Sequence, residues 1–236
     1  MCLEEDMAGV ELRAQRKRRG LTQREASARL GVSQPYLALL ESGKRRLPEK
    51  LLRKAMRLYR LSPAVLPPKE NPARPVGADQ LARELAALGY PGFAYMKSGW
   101  RKNPGEVLVT ALAQSDLDPR VTEALPWLVL RYPEMDRDWL VKQARLENLS
   151  NRLGFVVDLA KSVADRQDPR GSARSQSLEQ LKNALRNSKL DVEDTLCEES
   201  LSPQERNWLR ENRPDEAKFW HLLTKWRPEH LQYVAA

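Results

Sequence analysis

Residues 22–43 read TQREASARLGVSQPYLALLESG, and the order of caps, apolar positions and glycines predicts two short helices joined by a tight turn. Thr22 is placed to cap the first helix, and Glu25, three residues on, completes a capping box. Ala26 and Leu30 give that helix an inner face. Gly31 stands where the chain reverses, at a left-handed position that strains a side chain and does not strain glycine. Val32 fills the corner, Ser33 caps the second helix, and Leu37 and Leu40 form its buried pair. Gly43 ends it.

The flanks extend the pattern. A preceding helix is predicted from about Gly9 to Arg19, with Val10 and Leu12 apolar and Arg13, Arg16, Lys17, Arg18 and Arg19 charged. Gly20 ends it and Leu21 tucks under the next helix. Beyond Gly43 lies a basic loop, Lys44, Arg45 and Arg46, and then Pro48 at the start of a fourth helix. Leu51, Leu52, Ala55, Leu58 and Tyr59 supply its apolar stripe at helical spacing. Leu61, Ser62 and Pro63 close the unit, while Met1 to Asp6 form an acidic lead.

Charge is distributed unevenly. Residues 1–75 hold 17 Lys and Arg against 8 Asp and Glu, and residues 76–236 hold 23 against 24. The whole positive excess of +8 therefore belongs to the segment with the paired helices. Such a segment attracts phosphate, and releasing the counterions around DNA gives binding without sequence preference. Two helices so joined also have the geometry that lays one of them in the DNA major groove.

This segment resembles the Cro and phage-repressor type of helix-turn-helix, the XRE family. The matching residues are Leu12, Arg16, Gly20, Leu21, Thr22, Gln23, Glu25, Ala26, Leu30, Gly31, Val32, Ser33, Leu37, Leu40, Glu41 and Gly43, with basic residues following. The resemblance covers about a quarter of the chain and is specific, because spacing, turn glycine and both caps agree. It implies that Gln23 hydrogen-bonds a phosphate at a helix N-terminus. It implies an internal ion pair between Arg16 and Glu41, and phosphate clamps at Lys44, Arg45 and Arg46. It also implies double-stranded DNA as partner, bound by a homodimer on palindromic half-sites one helical turn apart.

Base reading is expected on the exposed face at the start of the third helix: Ser33, Gln34, Pro35, Tyr36, Ala38 and Leu39. Gln34 leads, since a glutamine can pair in bidentate fashion with an adenine edge. Pro35 suits the first turn, where its missing N–H costs nothing. Pro35 and Leu39 occupy positions where the family often carries hydrogen-bonding side chains. Both could touch thymine methyl groups, or Leu39 could belong to the core.

The predicted fold class is all-α: a four- to five-helix repressor-type domain over 1–61, a proline-rich linker over 62–78, and a larger helical domain over 79–236. Pro63, Pro67, Pro68, Pro72 and Pro75 mark the linker. In the last part, helices are expected from Asp79 (as cap), from Asn103, and from Asp118 until Pro126 interrupts. Another is expected from Asp136, with helical periodicity extending toward Ala164. Residues 167–176 read as a mobile loop. Further helices follow Ser177 (as cap), Ser202, and Pro214 through Trp226. All six tryptophans fall here: Trp100, Trp127, Trp139, Trp208, Trp220 and Trp226. Most are expected in the core, with some of the C-terminal set facing a partner.

The same residues exclude several kinds of chemistry. His221 and His230 lack the spacing of a zinc-binding helix pair. Cys2 and Cys197 are too few for a disulfide framework or four-ligand zinc site and read as incidental thiols. No phosphate-cradling glycine loop or nucleophile elbow appears. No enzyme activity, catalytic residue, metal or cofactor is expected. With no apolar run near the roughly 20 residues of a membrane span and no leading signal segment, a cytoplasmic protein is expected. Three readings remain open: a transcriptional regulator, most simply a repressor; an antitoxin whose 79–236 half neutralises a toxin; and a ligand-sensing regulator.

Overall fold

The computed structural model describes residues 12–97, 99–168 and 171–233. The acidic lead, Cys2, and the predicted helix start with Val10 lie outside them. Among the described residues the fold is all-α apart from one two-residue parallel ladder and an isolated antiparallel bridge between Asp116 and Glu198. The chain divides into two compact units, Met1–Val65 and Leu66–Ala236.

The first unit holds α1 (residues 12–18), α2 (Gln23–Leu30), α3 (Gln34–Glu41) and α4 (Glu49–Tyr59), then a 3-10 turn at Pro63–Val65. Local chemistry explains the boundaries. Thr22 and Glu25 form the reciprocal capping box of α2. Gly31 adopts φ 73°, the left-handed turn between α2 and α3. The Ser33 side chain accepts the Tyr36 N–H, and Ser42 caps the far end of α3 one residue before Gly43. Leu12, Ala26, Leu30, Leu37, Leu40, Leu51, Leu52, Ala55, Met56, Tyr59 and Leu61 are buried as one core.

The second unit wraps around α9 (Ser150–Gln167), whose residues 150–160 are all buried. Packed on it are α6 (Pro104–Leu112), α7 (Pro119–Arg131), α8 (Arg137–Leu146), α10 (Ala173–Arg186) and α12 (Asp215–Phe219), while α5 (Ala78–Leu88) packs on α6 and α7, and α11 (Pro203–Asn212) on the Leu222–Leu223 segment. Strand β1 (Asp194–Thr195) pairs in parallel with β2 (Leu222–Leu223). Within this core the Arg152 guanidinium grips the Asp194 carboxylate at 2.6 and 2.8 Å and donates to the carbonyls of Leu112 and Gln114. Cys197 is fully buried beside it.

Several local expectations are corrected. Asp79 is not a cap; Gly77 takes that position, and Asp79 sits in the first turn, where an anion suits the helix dipole. Pro126 does not interrupt α7, because burial of residues 124–130 outweighs the hydrogen bond that a proline forfeits. Ser177 does not cap α10: the helix begins at Ala173, capped by Ser172, and the Ser177 hydroxyl donates to the Pro133 carbonyl. The stretch read as a loop from 167 is shorter, since α9 includes Gln167 and Asp168 holds both Arg174 and Ser172. Pro169 and Arg170 lie outside the described residues. The last helix stops at Phe219, and His221 turns the chain at φ 54°. Leu222 and Leu223 then run as strand, because both are fully buried and a surface helix would expose one side.

The proline-rich stretch is shared between the units. Pro63 is buried in the first. From Leu66 the chain lies along the second, where side-chain amides take its carbonyls. Asn103 donates to Leu66, Gln143 to Glu70, and Gln114 to Arg74, at 2.5, 2.9 and 2.9 Å. The Thr110 hydroxyl donates to the Pro72 carbonyl, and Gln114 accepts the Val76 N–H. The tryptophans separate too: Trp127 and Trp220 are buried, Trp139 and Trp226 half-buried, Trp100 and Trp208 exposed.

Candidate nucleic-acid interface

Helix α3 has two sides, set by its sequence. Leu37, Leu40 and Glu41 point inward and are buried. Ser33, Gln34, Pro35 and Leu39 are exposed, with Tyr36 and Ala38 half-buried between them. Residues four apart on a helix are neighbours, so Gln34 and Ala38 form one row and Pro35 and Leu39 the next. Ser33 keeps its oxygen on the helix cap, 3.3 Å from the Tyr36 nitrogen. Leu39 is no part of the core, at 39% exposure.

Beyond α3 the loop carries Lys44, Arg45 and Arg46, all exposed. It is not loose against the helix. The Arg45 N–H donates to the Leu39 carbonyl at 3.2 Å, and its guanidinium lies over the Tyr36 ring, 5.5 Å from the centroid. A cation over an aromatic face is held there by the ring quadrupole.

Behind the face, a buried pair fixes α3 to α1. Arg16 Nε and Nη2 donate to the two Glu41 oxygens at 2.6 and 3.0 Å, and Nη1 reaches the Leu21 carbonyl at 2.7 Å. The Gln23 amide joins this network, donating to Glu41 Oε2 at 3.0 Å. Burial pushes the Glu41 carboxyl up, but the hydrogen bonds from Arg16 and Gln23 and the Arg16 and Arg13 charges outweigh it, leaving the group below the usual glutamate range. Hydrogen bonding to Glu41 likewise holds the Arg16 guanidinium above its ordinary value. Gln23, expected at a phosphate, is thus half-buried and engaged from within the domain.

Three contributors were not foreseen in these roles. Lys54 of α4 donates to the Leu30 carbonyl at 2.9 Å and so finishes α2. Arg19 donates to the Tyr59 carbonyl at 3.2 Å, tying the end of α1 to the end of α4. Tyr59 stands near the ion pair; its phenol is pushed up to about 12 by burial and by the Glu41 charge, and its buried hydroxyl has no hydrogen-bond partner. These contacts join residues 24 and 40 apart, and only the apolar stripe of α4 announced Tyr59.

An exposed helix face flanked by a basic loop can place side chains on base edges while cations hold phosphates. Lys44→Ala is expected to weaken binding to all DNA sequences alike. Its plot of log affinity against log salt should be shallower by about 0.9, one phosphate contact. Titration at several salt concentrations measures this, and an unchanged slope removes Lys44 from the phosphate contacts.

Residues 8–68 match a family model described as a helix-turn-helix domain, about a quarter of the chain. No curated protein and no solved structure matches the chain. No helix among the described residues is long and apolar enough to cross a membrane.

Proposed function

We propose that this chain, whose residues 8–68 match a helix-turn-helix domain, is a transcriptional repressor acting in the cytoplasm on palindromic operator DNA. It acts by binding and not by catalysis. The observation that carries this reading is the outward face of α3, with Gln34 exposed beside the basic loop. Gln34→Ala is expected to lower affinity for the operator by about 1–3 kcal/mol while nonspecific affinity stays level. Competition binding with operator and random duplexes decides it; an equal fall in both would make Gln34 a backbone contact.

One such domain covers too little DNA for a tight specific complex, which favours a homodimer reading two half-sites. Sedimentation of the saturated complex should find two chains per operator. One chain per operator overturns the dimer.

A second reading has the larger unit neutralise a protein toxin while the first represses the shared operon. It is favoured by large apolar side chains exposed on that unit: Tyr95, Trp100, Leu146, Val192, Trp208 and Phe219. Exposed aromatics of this kind anchor protein interfaces. Co-purification with the product of a neighbouring reading frame would favour it over the plain regulator. Ligand sensing has weaker support. A surface groove of about 500 Å³ on α8 and α10 is lined by Asp138, Lys142 and Arg145 as well as Val141, Leu146 and Ala184. Half of these lining residues are charged, whereas most small-molecule sites carry only a few polar groups.

A further inference from the structure

In the first unit the large apolar side chains are buried or half-buried, with one exposed exception among the described residues. Leu39 is 39% exposed, whereas Leu37 and Leu40 on the same helix are at 0% and 2%. The core does not use Leu39. Its neighbour one turn back, Pro35, is exposed as well, so α3 presents an apolar row directly beside Gln34 and Ala38.

The row is also held in register. The Leu39 carbonyl accepts both the Ser42 hydroxyl and the Arg45 N–H, at 3.1 and 3.2 Å. The last turn that carries Leu39 and the first residues of the basic loop are therefore one piece. If that loop holds phosphates, Leu39 reaches the groove at a fixed depth.

Base edges in the major groove offer donors, acceptors and one apolar feature, the 5-methyl group of thymine. Leucine and proline side chains laid over donors and acceptors would desolvate them without return. Laid against methyl groups they bury apolar surface on both partners. We propose that Pro35 and Leu39 read thymine methyl groups, so that each operator half-site sets thymines beside the adenine contacted by Gln34. This rests on α3 being the DNA-reading helix.

Deoxyuridine removes the methyl group and leaves the hydrogen-bonding edge of the base unchanged, which makes it the probe. The full chain first selects its duplex from a random pool. Each thymine of that duplex is then replaced singly by deoxyuridine. Two positions per half-site should each lose about four-fold in affinity, as expected for one buried methyl group. With Leu39→Ala protein, one of those positions should become insensitive while the other stays sensitive, and Pro35→Ala should show the converse. Circular dichroism confirms that each variant is folded.

The outcomes separate the two levels of argument. An enriched duplex that is indifferent to deoxyuridine at every position overturns the methyl reading and leaves DNA binding standing. Leu39→Ala protein that loses affinity with all sensitivities intact, and changes mass from dimer to monomer, also overturns it, placing Leu39 in a contact between copies. A pool from which the folded chain enriches nothing overturns the DNA reading itself, and this inference with it.

Discussion

Arg16→Ala is expected to cost the first unit about 3–5 kcal/mol, because it leaves the Glu41 carboxylate buried without its cation. The Glu41 side chain is 2% exposed, so water cannot replace the lost partner. A unit of this size has little stability to lose. Amide hydrogen exchange of α1–α3 in the full chain checks the prediction: protection should fall by two orders of magnitude or more, as about 3 kcal/mol requires. Unchanged protection would mean that the pair merely decorates the fold.

The pH dependence gives a second readout of opposite sign in the two proteins. In the native chain the Glu41 carboxyl lies below its ordinary value of 4.5. Its contribution is therefore present above that value and is lost as pH falls through the lowered one. In the Arg16→Ala protein, burial without the cation pushes the same carboxyl up. Acidification then relieves the penalty, and the gap between the two proteins should narrow as pH falls.

Trp220→Ala should have the largest effect in the second unit, about 3–5 kcal/mol. The indole is fully buried and lies on Gly154 so closely that a Cβ there would stand 2.4 Å from its ring. Its Nε1 donates to Asp158 Oδ2 at 3.1 Å, and Lys182 holds the other Asp158 oxygen at 2.5 Å. Truncation thus opens a cavity against the central helix and takes a donor from a buried carboxylate. Calorimetry of the full chain should show the second unit melting lower or absent, with the first unit's transition in place. A shift confined to the first unit would refute the assignment.

The first unit was largely legible because its decisions are local. Caps, a turn glycine and apolar spacing all act within a few residues of one another, and they set α2, α3 and the exposed face. The second unit was less so. Pro126 inside α7, the turn at His221 and the strand at Leu222 are decided by burial against distant helices, which no window of sequence displays. Trp220 looked like one more aromatic on a C-terminal helix. Its partners, Gly154 and Asp158, lie more than sixty residues earlier.

Residues 66–76 carry a consequence for how the chain can be divided. Their carbonyls at Leu66, Glu70, Pro72 and Arg74 occupy Asn103, Gln143, Thr110 and Gln114. A fragment begun at residue 79 would take these four carbonyls from their donors, at a cost of about 1–3 kcal/mol for each donor left buried without another acceptor; Gln114 would keep the Thr110 carbonyl, and Asn103 its cap on the Gly105 N–H. From Leu66 onward the proline-rich stretch is thus masonry of the larger half, and a proteolytic or recombinant fragment meant to stand alone should start at Leu66.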